Sequence, residues 1–356
     1  MILTALAMAT LCQAAAYDGL AARAYLKVAH SHNDYEQRAP LKDALQAGFA
    51  SVEADVWWGD GQLPVAHLPF LSRGGLEELY LGPLQARVDR LGSVYGDGEP
   101  FYLWIDLKDA RPALTDELHG VLSRFPMLTV FTDEAVLPGP VVVVLTGDEE
   151  AKKRYTDGHR LRYACRDSNL LGALDPPADR RWTWYALTFD EALAAGASGA
   201  GDAGERLRAL VERIHRLGRR LRLYEAPERP ETWRLMLAAG VDLIGTDRLA
   251  EFRAFLERER GWRRGRSRWG TRAVSAPRRS RPGPRRSRRP EARALAREKG
   301  FEVEAVLERW RRASPWRPHG EGTPPEEAAR TTSQRRRRSR SPRGRPPGVR
   351  GGVTAA

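Results

Sequence analysis

The chain has 356 residues, a formal net charge of +13 and a pI near 10.2. A hydrophobic fraction of 42% excludes both a fully disordered chain and a polytopic membrane protein, and two cysteines, Cys12 and Cys165, exclude a disulfide framework or a cysteine-rich zinc module. The charge is unevenly placed: residues 259–356 carry 28 Arg, one Lys and nine acids, a net of +20, which leaves residues 1–258 at −7.

Taken in chain order, the first segment is Ile2–Ala16, ILTALAMATLCQAAA, which ends in Ala14-Ala15-Ala16. That is the pattern of the apolar region and small-residue cleavage site of a secretory signal peptide covering residues 1–16. It is shorter than the roughly 20 residues of a membrane span. No Lys or Arg precedes Arg23, and Leu11 before Cys12 does not fit lipoprotein processing. A truncated start and a buried first helix are the other readings. A cleaved leader implies a secreted or periplasmic protein, and its absence a cytoplasmic one.

From Tyr25 to Arg258, short apolar runs alternate with amphipathic stretches. Runs rich in β-branched and aromatic residues predict strands at Tyr25–His32, Ser51–Trp58, Phe101–Lys108, Leu128–Thr132, Val141–Thr146, Trp182–Thr188, Leu221–Tyr224 and Asp242–Thr246. Helical periodicity is clearest at Pro40–Ala47, Pro112–Arg124, Gly204–Arg220 and Pro230–Ala239, two of which start near a proline and stop at Gly48 and Gly240. Eight candidate strands with intervening helices predict a (β/α)8 TIM-type barrel over residues 25–258. An open doubly wound sheet is the structural alternative, and no glycine-rich dinucleotide fingerprint accompanies it. Glu149–Asp179 is the least barrel-like stretch. Beyond Arg258, arginine clusters interleaved with Gly, Pro and Ser offer little apolar surface to offset ordering entropy, so a mostly disordered basic tail is expected, with one possible helix at Pro290–Ala313.

Three of the apolar runs end in polar residues spaced two apart: His30 and His32 in AHSHNDY, Glu53 and Asp55 in SVEADVWW, and Asp106 and Lys108 in LWIDLKD. In a strand such pairs share a face, and in a barrel they project together at the C-terminal mouth. His67 follows Asp55 across an Asp60-Gly61 turn and a short return strand at Leu63–Ala66, which brings it back beside the carboxylates. Glu53, Asp55 and Asp106 offer hard oxygen ligands for one Mg2+ or Ca2+. Two histidines can serve as acid and base on a phosphodiester, and Lys108 supplies a point charge for phosphate. His32 and Asn33 are further candidates for substrate contact, or for orienting a ligand or capping the loop with Asp34. Asp247 and Glu225 fall at strand ends, where a structural role is the simpler expectation.

AHSHNDY, VEADV, a turn followed by VAH, then IDLK and GVDLIGTD resemble, in order and spacing, the motifs of the glycerophosphodiester phosphodiesterases and the wider phospholipase-C-like barrel superfamily. The AHSHNDY form resembles the branch named for altered inheritance of mitochondria. The resemblance covers about residues 25–258. It implies His30 and His67 as the catalytic histidines, Glu53, Asp55 and Asp106 as metal ligands, and Lys108 as their basic companion. It also implies a divalent-metal-dependent phosphoric diester hydrolase acting on a small phosphodiester, by way of a cyclic phosphate or with that cyclic phosphate as product. Three positions depart from the glycerophosphodiesterase pattern: Ser31 stands where an arginine follows the first histidine, Leu68 where an aspartate follows the second, and the Glu-Asn-Thr segment is absent. A missing arginine removes a bidentate phosphate contact that lysine does not replace in kind.

The rival reading is a barrel without turnover, serving as a binding or scaffold module whose tail contacts nucleic acid or anionic surfaces through its charge density. The tail lacks regularly placed aromatics for base stacking. A shifted reading frame in GC-rich DNA is a third origin for such an arginine-rich segment.

Overall fold

The computed structural model describes residues 25–59, 61–196 and 201–259. The expected leader, Asp60 of the expected turn and the basic tail past Glu259, with its Pro290–Ala313 stretch, lie outside the described residues.

Eight parallel strands carry the fold: β1 (Leu26–Ser31), β2 (Phe49–Val56), β3 (Phe101–Leu107), β4 (Val141–Gly147), β5 (Ala164–Arg166), β6 (Trp184–Thr188), β7 (Arg220–Tyr224) and β8 (Leu243–Thr246). Consecutive strands pair in parallel from β1 to β5 and from β6 to β8, and β8 pairs with β1. The ring closes between β5 and β6: the Arg166 and Thr183 amides donate to Arg181 and Arg166 carbonyls at 2.7 and 3.1 Å, and those of Ser168 and Ala186 to Trp184 and Ser168 carbonyls at 3.1 and 3.2 Å. The result is the predicted (β/α)8 barrel.

The helices outside it are α1 (Lys42–Ala47), α2 (Gly82–Leu91), α3 (Pro112–Leu122), α4 (Glu149–Gly158), α5 (Phe189–Ala195), α6 (Ala203–Arg216), α7 (Pro230–Ala239) and α8 (Leu249–Arg258). Their ends follow local chemistry. α1 and α7 stop at Gly48 and Gly240, whose left-handed φ of 80° and 89° a side chain would resist, and α5 begins with a capping box between Thr188 and Glu191.

Two apolar regions result. One lies between sheet and helices and takes residues such as Val52, Ala54, Leu103 and Ile105. The other fills the barrel with Tyr102, Trp104, Val144, Cys165, Trp184, Ala186 and Leu243, and Phe131 packs with them. Because side chains alternate along a strand, the residues facing this inner plug include every polar pair singled out at the strand ends.

Two expectations need correction. Leu128–Thr132 is not a barrel strand: only Val130–Phe131 is extended, in a two-stranded antiparallel hairpin with Val136–Leu137. The strand in its place is β5, inside the stretch that reads as least barrel-like. The β5–β6 connection has no helix among the described residues, whereas α5 and α6 both lie between β6 and β7.

Candidate functional site at the barrel mouth

The site is assembled from β1, β2 and β3 and the loops that follow them. Asp55 and Asp106 are direct register partners on β2 and β3, and both side chains turn to the barrel interior. Glu53, Asp55 and Asp106 each place an oxygen within 4.8 Å of the others. Glu53 and Asp55 are buried and Asp106 is half-buried, so each ionised carboxylate needs compensation. Lys108 Nζ lies 2.9 Å from both Asp55 Oδ2 and Asp106 Oδ2, and Arg222 Nη2 donates to Glu53 Oε1 at 2.7 Å. Three carboxylates thus face two permanent cations. Asp55 Oδ1 and Asp106 Oδ1 are buried without a hydrogen-bond partner. Gly147 leaves the space beside the latter, since a Cβ there would stand 2.1 Å from Asp106 Oδ1. Hard oxygens, a charge deficit and two orphan acceptors fit a divalent cation.

The histidines flank these acids. His30 Nδ1 is 2.7 Å from Ser51 Oγ, its Nε2 is 3.5 Å from Glu53 Oε2, and its ring meets Trp104 edge-on with centroids 5.8 Å apart. It is 0% exposed, and burial with the nearby Arg222 guanidinium lowers its pKa to about 3, so the imidazole is neutral at pH 7. His67 is 60% exposed and sits on the opposite side, its Nδ1 3.4 Å from Asp55 Oδ2. The expected return path holds: the Val65 region bridges back to Val56, and the Ala66 amide donates to Asp55 O at 3.1 Å. His32 stacks on Tyr224, with Nδ1 3.0 Å from Asp247 Oδ1 and Nε2 3.9 Å from Glu53 Oε2. Burial opposes its protonation, yet Asp247 and Glu53 together raise its pKa.

Burial likewise opposes ionisation of Glu53, but Arg222 and the two histidines outweigh it and hold that carboxyl well below its ordinary range. Asp106 goes the other way, pushed up to about 6 by burial and by its acidic neighbours despite Lys108. Burial disfavours the Lys108 charge, yet Asp106 and Asp55 more than offset this and raise its pKa.

Asn33 adopts a left-handed φ of 44°, which aims its amide at Glu53 Oε2 at 3.5 Å, while its side-chain oxygen is 3.2 Å from Tyr35 Oη. Tyr35 Oη donates to Asp55 Oδ2 at 2.7 Å. Asp34 is buried beneath the loop and accepts from Ser31 Oγ, the Leu41 amide and Tyr80 Oη at 2.7, 2.5 and 3.0 Å. Asn33 and Asp34 therefore shape the loop in which His32 sits. Asp247 orients His32, and Glu228 accepts from the Asp247 amide at 2.7 Å.

Sequence reading missed Arg222, Ser51 and Tyr35. Arg222 has the clearest signal: in RLRLY, Arg220 and Arg222 alternate with leucines and share the inner face, and Arg222, unlike the exposed Arg220 at the start of the strand, is buried there, which an internal acid makes tolerable.

Comparisons with known proteins give the following likenesses. Residues 20–160 match the AIM6-like phosphodiesterase domain. Altered inheritance of mitochondria protein 6 of Lachancea thermotolerans is 29% identical over 273 residues, 62% of this chain and 64% of that protein. Its counterpart from Eremothecium gossypii is 34% identical over 161 residues, 36% of this chain and 40% of that protein. The chain thus spans less than two thirds of either relative's length. Among solved structures, a glycerophosphodiester phosphodiesterase from Parabacteroides distasonis covers 66% of this chain and 99% of its own at 13% identity and a TM-score of 0.42. One from Agrobacterium tumefaciens covers 64% and 100% at 17% identity and a TM-score of 0.40. The chain is similar to the AIM6-like phosphodiesterases, as its motifs implied.

Proposed function

We propose that this AIM6-like barrel is a divalent-metal-dependent phosphoric diester hydrolase. The observation that carries the reading is the acid cluster itself: three inward carboxylates at the barrel mouth, with two buried, unpartnered oxygens and a histidine on either side. Glu53, Asp55 and Asp106 would hold the cation, and Mg2+ and Ca2+ both suit such oxygens. When bound, it supplies positive charge against the phosphodiester and its transition state.

The remaining work falls to the chain's own groups. His30, neutral and braced by Ser51, is the candidate base of the pair, and Glu53, which its Nε2 faces, would balance the charge of the imidazolium. His67, solvent-facing beside Asp55, is placed to give one to the departing oxygen. Lys108 holds the two aspartates together and offers its ammonium to phosphate. Arg222 keeps Glu53 ionised where burial alone would neutralise it. Glu53, Asp55 and Arg222 are all buried, so the donors are fixed before substrate arrives, which lowers the reorganisation needed during reaction.

Release of nitrophenol from bis-nitrophenyl phosphate, run beside glycerophosphocholine turnover with and without EDTA, tests this. EDTA should abolish release, and His30→Ala and Glu53→Ala should each lower it by at least about 100-fold. Unchanged activity in either variant would sink the assignment. Phosphorus NMR of the product separates an opened monoester from a cyclic phosphate.

A further inference from the structure

The mouth carries an apolar feature that the site chemistry does not use. Of the eight large apolar side chains exposed among the described residues, four cluster between positions 58 and 71: Trp58 at 38%, Leu68 at 54%, Phe70 at 92% and Leu71 at 67%. Trp58 lies two residues past the end of β2, and Leu68, Phe70 and Leu71 follow His67, whose Nδ1 is 3.4 Å from Asp55 Oδ2. The cluster rests on an ordered base. The Val65 amide donates to Gly74 O at 2.9 Å, that of Arg73 to Val65 O at 3.0 Å, and that of Leu71 to Leu68 O at 3.1 Å. A loop held this firmly has no need to expose a phenylalanine and two leucines for its own folding, and such a patch marks a contact surface.

The charges around it indicate what that surface meets. Arg73 donates to Gln37 O at 3.4 Å, which places it next to Arg38 at the rim of the β1 loop. Both arginines are exposed, and neither is in an ion pair among the described residues. Arg111 lies over the Trp58 ring at 4.9 Å, with its charge paired to Asp109 at 2.6 Å. An apolar tip flanked by the guanidinium groups of Arg38 and Arg73 is complementary to an anionic bilayer, whose acyl layer receives the tip and whose phosphates receive the arginines. A second copy of this chain would have to cover the apolar tip while leaving those two charges unpaired, which fits less well. Leu68, the residue directly after His67, is itself exposed and apolar.

We infer that Leu68–Leu71 inserts into an anionic phospholipid surface and presents the mouth to a membrane lipid's phosphodiester, an inference that rests on the phosphodiesterase reading. The full chain and a Phe70→Ser/Leu71→Ser variant are sedimented with phosphatidylcholine vesicles containing about 30% phosphatidylglycerol. Sodium chloride at about 0.5 M shortens the Debye length and suppresses the attraction of the arginine-rich segment, which both proteins share. Partitioning of the variant should fall about tenfold, since two exposed apolar anchors are lost. Its turnover of the soluble bis-nitrophenyl phosphate should match the parent's. Arg38→Gln/Arg73→Gln should weaken binding chiefly at low salt. Equal partitioning of parent and Phe70→Ser/Leu71→Ser overturns the inference, as does a patch-dependent dimer seen by light scattering with no loss of vesicle binding. Failure of the phosphodiesterase reading shows separately, as absence of soluble turnover by the parent.

Discussion

Glu53 divides its carboxylate between two environments: Oε1 accepts from Arg222, and Oε2 faces His30, His32 and the Asn33 amide. Asp34, in the loop after β1, has no ion-pair partner among the described residues. It accepts three hydrogen bonds, yet burial dominates and lifts its pKa from 3.8 to about 6. The sign follows from linkage. An acid whose folded pKa lies above its unfolded value favours folding when protonated, so its contribution is fullest below pH 4 and declines as pH rises toward 6, by on the order of 3 kcal/mol. Asp34→Asn should therefore flatten that part of the pH dependence of Tm. Asparagine can keep its oxygen toward Leu41 and Tyr80 while the Ser31 hydroxyl turns to accept from the amide. An undiminished decline in Tm between pH 4 and 6 in the variant would assign it elsewhere. His30, Glu53, Asp55, His67, Asp106 and Lys108 were legible because each ends an apolar run or returns from one, and period-two spacing fixes their face. Arg222 was not, because its partner Glu53 lies 169 residues away and nothing local records the pairing.

At the scale of elements, legibility followed length and packing. Seven of the eight barrel strands coincide with apolar runs, since a strand covered on both faces needs side chains that tolerate burial on both. β5 escaped because it is three residues long and ends in Arg166, whose guanidinium leaves the ring to lie over Trp182 at 5.0 Å. Leu128–Thr132 read as a strand because it is apolar, but Phe131 owes that to packing with Tyr102 and Trp184 in the barrel plug. Without a helix, the β5–β6 connection is fastened by Arg219. This buried guanidinium lies 3.6 Å from the Trp182 ring centre and donates to the carbonyls of Pro176, Pro177 and Trp182 at 2.6, 3.3 and 3.2 Å. Arg219→Met should cost about 3 kcal/mol, the sum of a desolvated cation–π contact and hydrogen bonds to a charged donor. Hydrogen exchange should locate the loosening in residues 171–183. Uniform loss of protection across the barrel would mean that Arg219 supports the whole ring rather than this connection.

For the molecule as a whole, the positive total conceals an acidic barrel. Residues 1–258 are acidic at −7, and part of that acidity converges on the mouth, while the excess arginine lies in residues 259–356. A ligand that binds only the folded state stabilises it by mass action, so a cation held by Glu53, Asp55 and Asp106 should raise Tm. At about 100 times its Kd the gain is about 2.7 kcal/mol, or roughly 5–10 °C for a barrel of this size. Salt effects on the arginine-rich segment complicate a simple titration, because divalent chlorides also screen charge. The comparison that isolates the site is parent against Asp55→Asn and Asp106→Asn, which leave that segment untouched. The parent should show the shift with Mg2+ or Ca2+ and lose it with EDTA, and both variants should show neither. Their baseline stability discriminates further. Removing one of two adjacent carboxylates relieves both the burial of a charge and the repulsion, so without metal Asp106→Asn should be no less stable than the parent, whose own Asp106 is pushed up to about 6 by burial and by its acidic neighbours. A metal-induced shift of equal size in parent and variants would place the cation away from the barrel mouth and remove the chief support for a metal-dependent site.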